Sequence, residues 1–362
     1  MRAGAIALVF GTRPELVKLA PLAWELGPAA RWVHTGQHPW AGLAEIASDL
    51  GIGPPDCDAT VAQAPGGLLA ASVGAVADAL TNVAPDAVVV QGDTTSTLAG
   101  ALAATKVGLP VVHIEAGLRA FDRRLPEEHN RIVVDHLSDL LCAPTALAAA
   151  QLGNEGIVAT RIVVTGNTAV DAVHRVLPPP EARIAIRAPF ELRTDEYAVA
   201  TFHRPENVDD PSTLAMIVAE LRDLPLPVLV PVHPRTFDRA ARAEVELGGG
   251  SIIVTPPLGY RAFLALAADA AFLVTDSGGV QEEASVIGRP AIVVRRSTER
   301  PEVLGTVTTR VDPGPAIGVA GRAILSELSE LHAQLRGRPS PYGTGDARFL
   351  TIAAIERLVA AQ

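Results

Sequence analysis

Short apolar runs alternate with helical patterns along most of the chain, and this alternation limits the possible folds more than any other feature. The first series is Ile6 to Phe10, Trp32 to His34, Ala87 to Val90, Val111 to Ile114, Leu140 to Ala143 and Ile162 to Val164. The second is Tyr197 to Thr201, Val228 to Val232, Ile252 to Thr255, Phe272 to Thr275 and Ala291 to Val294. Strands that alternate with helices are typical of a parallel sheet covered on both faces. The sequence therefore predicts an α/β protein with two doubly wound, Rossmann-like domains.

The segment Val176 to Arg187 separates the two series and contains three consecutive prolines, so it is predicted to be a linker. The predicted domains are residues 1–176 and 177–345, and the 362 residues suffice for two domains of ordinary size. Ligands of such sheets bind at the carboxyl ends of the strands. We therefore expect the functional residues in the loops that follow the strands.

Composition excludes several classes of protein. No apolar run is long enough for a membrane helix, and the run after Met1-Arg2 is better explained as a first strand than as a signal peptide. Cys57 and Cys142 form neither a metal-binding spacing nor a disulfide framework, so we expect a reducing cytoplasm. The net charge of -10 argues against nucleic acid as a partner.

A candidate anion site lies in Thr275 to Ala284, which follows a strand and precedes a helical pattern. The Ser-Gly-Gly sequence that starts at Ser277 places a hydroxyl and backbone N–H groups at a helix N-terminus, which favours a diphosphate. Glu282 and Glu283 are expected in the first turn, where a carboxylate can accept hydrogen bonds from ribose hydroxyls. Alternatively, Ser277 is an ordinary N-cap and the glutamates complement the helix dipole.

Two consecutive strands of the first half are followed by acids, Asp93 and Glu115. Neighbouring strands would bring these carboxylates to one sheet edge, where mutual repulsion raises one pKa and prepares that group for proton transfer. Two alternatives remain: Asp93 is an N-cap, or both acids are buried structural groups paired with Arg119.

The helix expected from Pro126 places Glu127, Asn130 and Arg131 on one face and turns Glu128 to another side. An exposed Glu–Arg pair explains this spacing as well as a catalytic role does.

Basic groups also lie at strand ends. Arg13 and Lys18 follow the first strand and either face a ligand, or Lys18 forms a solvated pair with Glu15. His203 and His233 follow consecutive strands of the second half, where an imidazole can transfer protons or bind phosphate.

Tyr260 and Phe263 are expected on a turn, where an aromatic ring can stack on a base; both are equally compatible with the core.

Taken together, these segments resemble the non-hydrolysing UDP-N-acetylglucosamine 2-epimerase family over nearly the whole chain, up to Thr298-Glu299-Arg300-Pro301-Glu302. The resemblance implies a fold of the glycosyltransferase-B type, in which a C-terminal helix crosses back to the first domain. Residues 346–362 would form that segment, with the helix over Ile352 to Val359.

The activity implied by the resemblance is the reversible inversion of UDP-GlcNAc at C2 to give UDP-ManNAc, without a cofactor or a metal. UDP is eliminated to leave 2-acetamidoglucal and is then added back. A cytoplasmic homodimer is also implied. The alternatives are a hydrolysing relative that releases ManNAc and UDP, a glycosyltransferase, and a non-catalytic nucleotide-sugar sensor.

The resemblance also implies roles for individual residues. Asp93, Glu115 and Glu127 would be the acid/base carboxylates, in an order that the sequence leaves open, and His203 would lie near the leaving phosphate. Phe263 would be the uracil platform and Glu283 the ribose acid. The complete set of substrate contacts is Arg13, Lys18, Arg131, Phe263, Ser277, Gly278, Gly279, Glu283 and Arg300.

Two departures from the family pattern are visible. Arg296-Ser297 replaces the usual acid and threonine before Thr298. In many bacterial members UDP-GlcNAc also binds as an activator, partly to the segment after Thr35 to His38; here Pro39-Trp40 follows, and Ala64 to Leu68 contains no basic residue. We therefore expect activation to be weak or absent.

Overall fold

A computed structural model describes residues 4–61 and 67–362, and the chain divides into two compact units. Unit 1 comprises the residues up to Arg175 together with Tyr342–Gln362, and unit 2 comprises Val176–Pro341. Each unit contains one parallel sheet with helices around it. The predicted fold class is therefore confirmed.

The sheet of unit 1 has seven strands in the order β3-β2-β1-β4-β5-β6-β7. They are β1 Ile6–Phe10, β2 Ala30–His34, β3 Cys57–Asp58, β4 Ala87–Gln91, β5 Val111–Ile114, β6 Leu140–Ala143 and β7 Ile162–Val164. The helices are α1 Arg13–Leu26, α2 Ala44–Asp49, α3 Gly67–Val83, α4 Thr95–Lys106, α5 Pro126–Leu137, α6 Ala146–Asn154, α7 Thr168–Val176 and, after unit 2, α16 Ala347–Ala360.

The sheet of unit 2 has six strands in the order β10-β9-β8-β11-β12-β13. They are β8 Ala198–Thr201, β9 Val228–Pro231, β10 Ile252–Thr255, β11 Phe272–Thr275, β12 Ala291–Val294 and β13 Thr308–Val311. The helices are α8 Pro180–Arg187, α9 Pro205–Val208, α10 Pro211–Arg222, α11 Pro234–Arg242, α12 Tyr260–Asp269, α13 Gly278–Ile287, α14 Ala316–Ser326 and α15 Leu328–Leu335.

The central strands are apolar on both faces because helices cover both faces of each sheet. Every residue of β1 and β11 is buried, so their sequences run as continuous apolar stretches without alternation. In each sheet the strand order reverses once, at β1 and β4 in unit 1 and at β8 and β11 in unit 2. Ligands of doubly wound sheets bind beside such a reversal. Asp93, His203 and Ser277 lie in the loops after these strands, and Arg13 begins the helix after β1.

Two strands, β3 and β13, are not predicted from the sequence because they lie at sheet edges. Cys57–Asp58 has only two residues, and β13 has two exposed residues among its four. Neither segment has the continuous apolar character of the central strands.

The predicted linker is wrong over its second half. Pro180 is the first residue of α8, a position that suits proline because its missing N–H has no partner there in any helix. Arg183 and Arg187 of this helix both pair with Asp269 of α12. The proline run therefore starts a packed helix instead of a free linker.

The C-terminal segment packs on unit 1. The helix predicted over Ile352 to Val359 is present as α16, which buries Ile352 and Ile355. Arg348 Nη1 donates to Asp171 Oδ1 of α7 at 2.8 Å. Within the described ranges, no helix has both the length and the apolar character needed to cross a bilayer.

Candidate active site

Glu15 connects the loops after β1 and β4 in unit 1. Its buried carboxylate accepts hydrogen bonds from the N–H groups of Gly11 and Thr12, at 2.9 and 2.8 Å, and from the hydroxyls of Thr94 and Thr97, at 2.6 and 3.0 Å. Burial raises the pKa of Glu15, and these hydrogen bonds oppose that effect only in part. The loop that carries Arg13 is thus fixed to the loop that carries Asp93. A solvated Glu15–Lys18 pair is therefore wrong.

Lys18 binds Glu115. Its Nζ lies 2.6 Å from Glu115 Oε2, both side chains are buried, and the amide of Gln91 also donates to Glu115. Glu115 has a φ of +71°, in the left-handed region that is costly for a residue with a side chain. Its N–H donates to Cys142 O at 3.1 Å, which holds this conformation.

Asp93 has a different cation as its partner. Arg131 of α5 pairs with the Asp93 carboxylate, and the amide of Asn130 donates to Asp93 O at 2.8 Å. Gln91 and Ile114 are paired in the sheet, so Asp93 and Glu115 follow matched positions of adjacent strands. Each acid is therefore paired with its own cation.

Two expectations for the neighbouring residues are wrong. Arg131 pairs with Glu128, at 2.7 Å, so Glu128 faces the same side as Arg131. The Glu128 carboxylate also accepts from two backbone N–H groups in the loop before α5, which orients it.

The half-buried Glu127 carboxylate makes no hydrogen bond or ion pair within residues 4–61 and 67–362. Arg119 binds Asp135 and Glu155, so it is not the partner of the two acids.

Asp276 organises the corresponding loops of unit 2, and the sequence analysis gave it no role. Its fully buried carboxylate accepts from the N–H groups of His203 and Arg204, at 3.0 and 2.9 Å, and from the amide of Asn207 at 3.1 Å. Burial alone would raise the pKa of Asp276, but the His203 charge and these donors lower it to about 2. An acid directly between β11 and the Ser-Gly-Gly sequence was the available signal.

His203 is held by the same carboxylate. Its Nδ1 lies 3.0 Å from Asp276 Oδ1, while 40% of the side chain remains exposed. The ring of His233 is 5.5 Å away between centroids, so the two strand-end histidines are in contact. The Asp276 contact fixes Nδ1 and leaves Nε2 of His203 as the nitrogen that a ligand can use.

The N-terminus of α13 has the features expected of an anion site. The helix begins at Gly278, and the Ser277 hydroxyl makes no capping hydrogen bond and has no partner among the described residues. A Cβ atom on Gly278 would lie 2.8 Å from Glu299 Oε1, so only glycine fits there without a shift. No side chain of unit 2 caps this helix end, so the N–H groups of the first turn are left to other acceptors, such as an anion.

Glu282 and Glu283 lie one turn further along α13 than expected, because the helix begins at Gly278. Glu282 is fully buried and pairs with Arg300 at 2.5 Å. Glu282 and Glu283 therefore do not complement the first turn of the helix.

Glu299 is a further charged residue of this region to which the sequence gave no role. Its carboxylate lies 2.7 Å from Arg295 and 3.6 Å from Arg204.

Tyr260 and Phe263 are not on a turn, because α12 begins at Tyr260. Both belong to the buried part of unit 2, with 1% and 6% of their surface exposed. The role of Phe263 as a uracil platform stays a prediction.

The remaining expectations concern an activator and a metal. Gln37, in the segment before Pro39-Trp40, accepts from the N–H and hydroxyl of Ser96 at 2.9 and 2.8 Å. Ala64, Pro65 and Gly66 lie outside the described residues. In the part of the chain that the structure describes, no cluster of three His, Cys, Asp or Glu side chains is arranged to hold a metal ion.

Comparisons with known proteins agree on one family. A family model described as UDP-N-acetylglucosamine 2-epimerase matches residues 28–356. The UDP-N-acetylglucosamine 2-epimerase of Methanococcus maripaludis is 34% identical over 354 residues, which cover 94% of this chain and 95% of that protein. A UDP-2,3-diacetamido-2,3-dideoxy-D-glucuronate 2-epimerase of Pseudomonas aeruginosa is 36% identical over 83% of this chain and 85% of its own length.

Solved structures show the same likeness. The Methanocaldococcus jannaschii UDP-GlcNAc 2-epimerase in complex with UDP-GlcNAc and UDP has a TM-score of 0.83 and 33% identity, with both chains covered completely. S. aureus MnaA bound to UDP has a TM-score of 0.87 and 32% identity, with 99% of this chain and 98% of that chain covered.

Proposed function

This chain belongs to the UDP-N-acetylglucosamine 2-epimerase family, and on that premise we propose that it interconverts UDP-GlcNAc and UDP-ManNAc by inversion at C2. The observation that carries the proposal is the pair of strand-end acids, Asp93 and Glu115, each held in place by its own cation. A protein that only binds a nucleotide sugar would not need acids in this arrangement.

Unit 2 binds the UDP part in this proposal. The Ser277 hydroxyl and the N–H groups of Gly278 and Gly279 bind the diphosphate, which the uncapped helix end supports. Glu283 accepts hydrogen bonds from the ribose, Phe263 packs against uracil, and Arg300 supplies a further contact to the nucleotide sugar. We propose these roles from the positions that the residues share with the family motif.

His203 stabilises the leaving group. Asp276 holds Nδ1, so Nε2 can donate to the diphosphate as negative charge develops on it. This help is essential because the C2 proton has no adjacent carbonyl to acidify it, and departure of UDP must accompany its removal.

Unit 1 transfers the protons. A carboxylate takes the C2 proton, the C1–O bond breaks with its electron pair leaving on UDP, and a C1–C2 double bond forms to give 2-acetamidoglucal. UDP then adds back to C1 while an acid delivers a proton to the other face of C2. Asp93, Glu115 and Glu127 are the proposed acid/base groups, and Arg13, Lys18 and Arg131 hold them and the sugar.

A second substrate deserves a direct test, because the Pseudomonas aeruginosa relative named for a diacetamido uronate is 36% identical to this chain. Inversion at C2 of such a sugar would use the same acids. Rates measured in parallel with UDP-GlcNAc and with the uronate decide which sugar is preferred.

Proton NMR of UDP-GlcNAc incubated with the protein in deuterated water tests the reaction. We expect UDP-ManNAc to appear and both UDP-sugars to acquire deuterium at C2. Free ManNAc with UDP would indicate the hydrolysing reaction instead, and an absence of C2 exchange would contradict both. We also propose that the protein is a cytoplasmic homodimer. Light scattering of the purified protein tests whether it is a dimer.

A further inference from the structure

The turns that carry Asp93 and Glu115 both have left-handed backbones. Gly92, directly before Asp93, has a φ of +78°, and Glu115 has a φ of +71°. Glycine adopts this conformation at little cost, but in Glu115 it is strained and persists only where surrounding contacts hold it. The Gly92 N–H donates to Ile114 O at 3.1 Å, so the two turns are already joined through their backbones.

His113 joins the same turns through its side chain. It lies fully buried on β5, with Nε2 at 2.8 Å from Gly92 O and Nδ1 at 2.7 Å from Asp135 Oδ1 on α5. The other Asp135 oxygen accepts from the Gly117 N–H at 3.2 Å and lies 2.7 Å from Arg119 Nη2. His113 and Asp135 thus connect the turn after β4, the turn after β5 and α5.

The partners of His113 determine its protonation. The Gly92 carbonyl can only accept a hydrogen bond, and a charged Asp135 carboxylate can only accept one. A neutral imidazole has a single N–H and would turn a lone pair toward one of these oxygens. Arg119 Nη2 lies 2.7 Å from the other Asp135 oxygen, and this neighbouring positive charge favours the ionised carboxylate whatever the state of His113. An imidazolium satisfies both contacts.

We propose that His113 is held as an imidazolium by Asp135, and that this buried ion pair positions Asp93 and Glu115 for proton transfer at C2. The charge state is inferred from the contacts of His113 and Asp135, whereas the positioning role rests on the proposed function. His113 is a positioning residue, since it acts through the Gly92 and Gly117 turns and not on the sugar.

NMR of the intact protein labelled with 15N-histidine tests the charge state at neutral pH. We expect both ring nitrogens of His113 to carry protons. His332 provides a control in unit 2, because its side chain is only 11% exposed and its Nε2 lies 2.8 Å from Ala271 O. The variants His113→Gln and His332→Gln assign the signals, and a single N–H on His113 would overturn the inferred charge.

Kinetics of the same two variants test the positioning role. For His113→Gln we expect a loss in kcat of roughly 100-fold, the size seen for small displacements of catalytic groups, with KM for UDP-GlcNAc within about twofold because the UDP part keeps its contacts. His332→Gln should lose stability but keep kcat. A kcat loss no larger than that of His332→Gln, or a rise in KM alone, would refute the positioning role.

A second variant covers the case in which His113→Gln does not fold. Asp135→Asn keeps the size of the side chain and removes its charge, so His113 should lose one N–H and kcat should fall in the same way. An unchanged His113 spectrum in this variant would contradict the ion pair. If the wild-type protein shows no C2 exchange at all, the proposed function fails, while the NMR result still decides the charge state.

Discussion

Glu115 and Glu127 have opposite surroundings. Glu115 is buried against Lys18, whereas Glu127 is half-buried and its carboxylate has no partner among the described residues. Replacing either one by Gln should lower C2 deuterium exchange by roughly 100-fold or more, because each variant loses a proton-transfer group. UDP affinity, measured by calorimetry, should not change.

Glu25→Gln is a suitable control, because Glu25 is exposed on α1 in the same unit. It should exchange at the wild-type rate. Normal exchange in both Glu115→Gln and Glu127→Gln would rule out the proposed acid/base roles.

The surroundings of Asp276 predict how the stability of the fold depends on pH in acid. Its pKa falls from 3.8 to about 2 on folding, so its contribution to stability is complete above pH 4 and is lost as the pH falls toward 2. Asp276→Asn removes this contribution. The free energy of unfolding of the variant should therefore depend less on pH between 5 and 3, by roughly 1 kcal/mol.

Urea unfolding followed by circular dichroism at pH 5 and pH 3 measures this difference. Asp78→Asn, at an exposed position of α3, should follow the wild-type protein. An equal pH dependence in Asp276→Asn and wild type would contradict the proposed stabilisation of the Asp276 carboxylate.

At the level of single helices, Ser277 at the N-terminus of α13 is either a helix cap or a contact to UDP, and the two roles predict different effects of a substitution. An N-cap that accepts a hydrogen bond contributes about 1 kcal/mol, but the Ser277 hydroxyl makes no such bond. Ser277→Ala should therefore leave the unfolding free energy within about 0.5 kcal/mol of wild type and weaken UDP binding about fivefold to tenfold, the worth of one lost hydrogen bond.

Asp210 provides the matched comparison. It caps α10 in the same unit and accepts from the Thr213 N–H at 2.9 Å. Asp210→Ala should lower the free energy of unfolding, because it removes a side-chain cap, and should keep UDP affinity. Thermal unfolding of both variants measures the change in stability, and calorimetry measures the change in UDP affinity. A Ser277→Ala variant that loses stability but not UDP affinity would identify an ordinary cap.

Elements with continuous apolar sequences were predictable, and those defined by distant partners were not. The central strands β1, β5 and β11 match their predicted bounds because burial on both faces dictates their composition. The edge strand β13 and the helix α8 lack that constraint; α8 depends on ion pairs with Asp269, 82 residues away from Arg187.

The candidate site shows the same limit. Strand ends indicated which residues to consider, yet the partner of Glu115 is Lys18, 97 residues away, and the partner of His203 is Asp276. Local spacing suggested Arg119 and a Glu127–Arg131 pair instead. Sequence neighbours compete with residues that only the folded sheet brings together, and a spacing argument cannot rank them.

The response of the whole enzyme to its substrate is the remaining prediction. Because Pro39-Trp40 and the segment from Ala64 to Leu68 offer no basic group for an activator, we expect a hyperbolic rate curve for UDP-GlcNAc. UDP-ManNAc should react without added UDP-GlcNAc. A sigmoidal curve, or a UDP-ManNAc reaction that starts only after UDP-GlcNAc is added, would show that activation is retained.

The position of α16 has a consequence for synthesis of the chain on the ribosome. Arg348 binds Asp171 across 177 residues of sequence, and all of unit 2 lies between them. At a synthesis rate of ~5–20 residues per second, α16 follows Asp171 by an interval on the order of 10–30 s. During that interval the face of unit 1 that buries Ile352 and Ile355 of α16 is uncovered, and an exposed apolar surface is what a chaperone recognises.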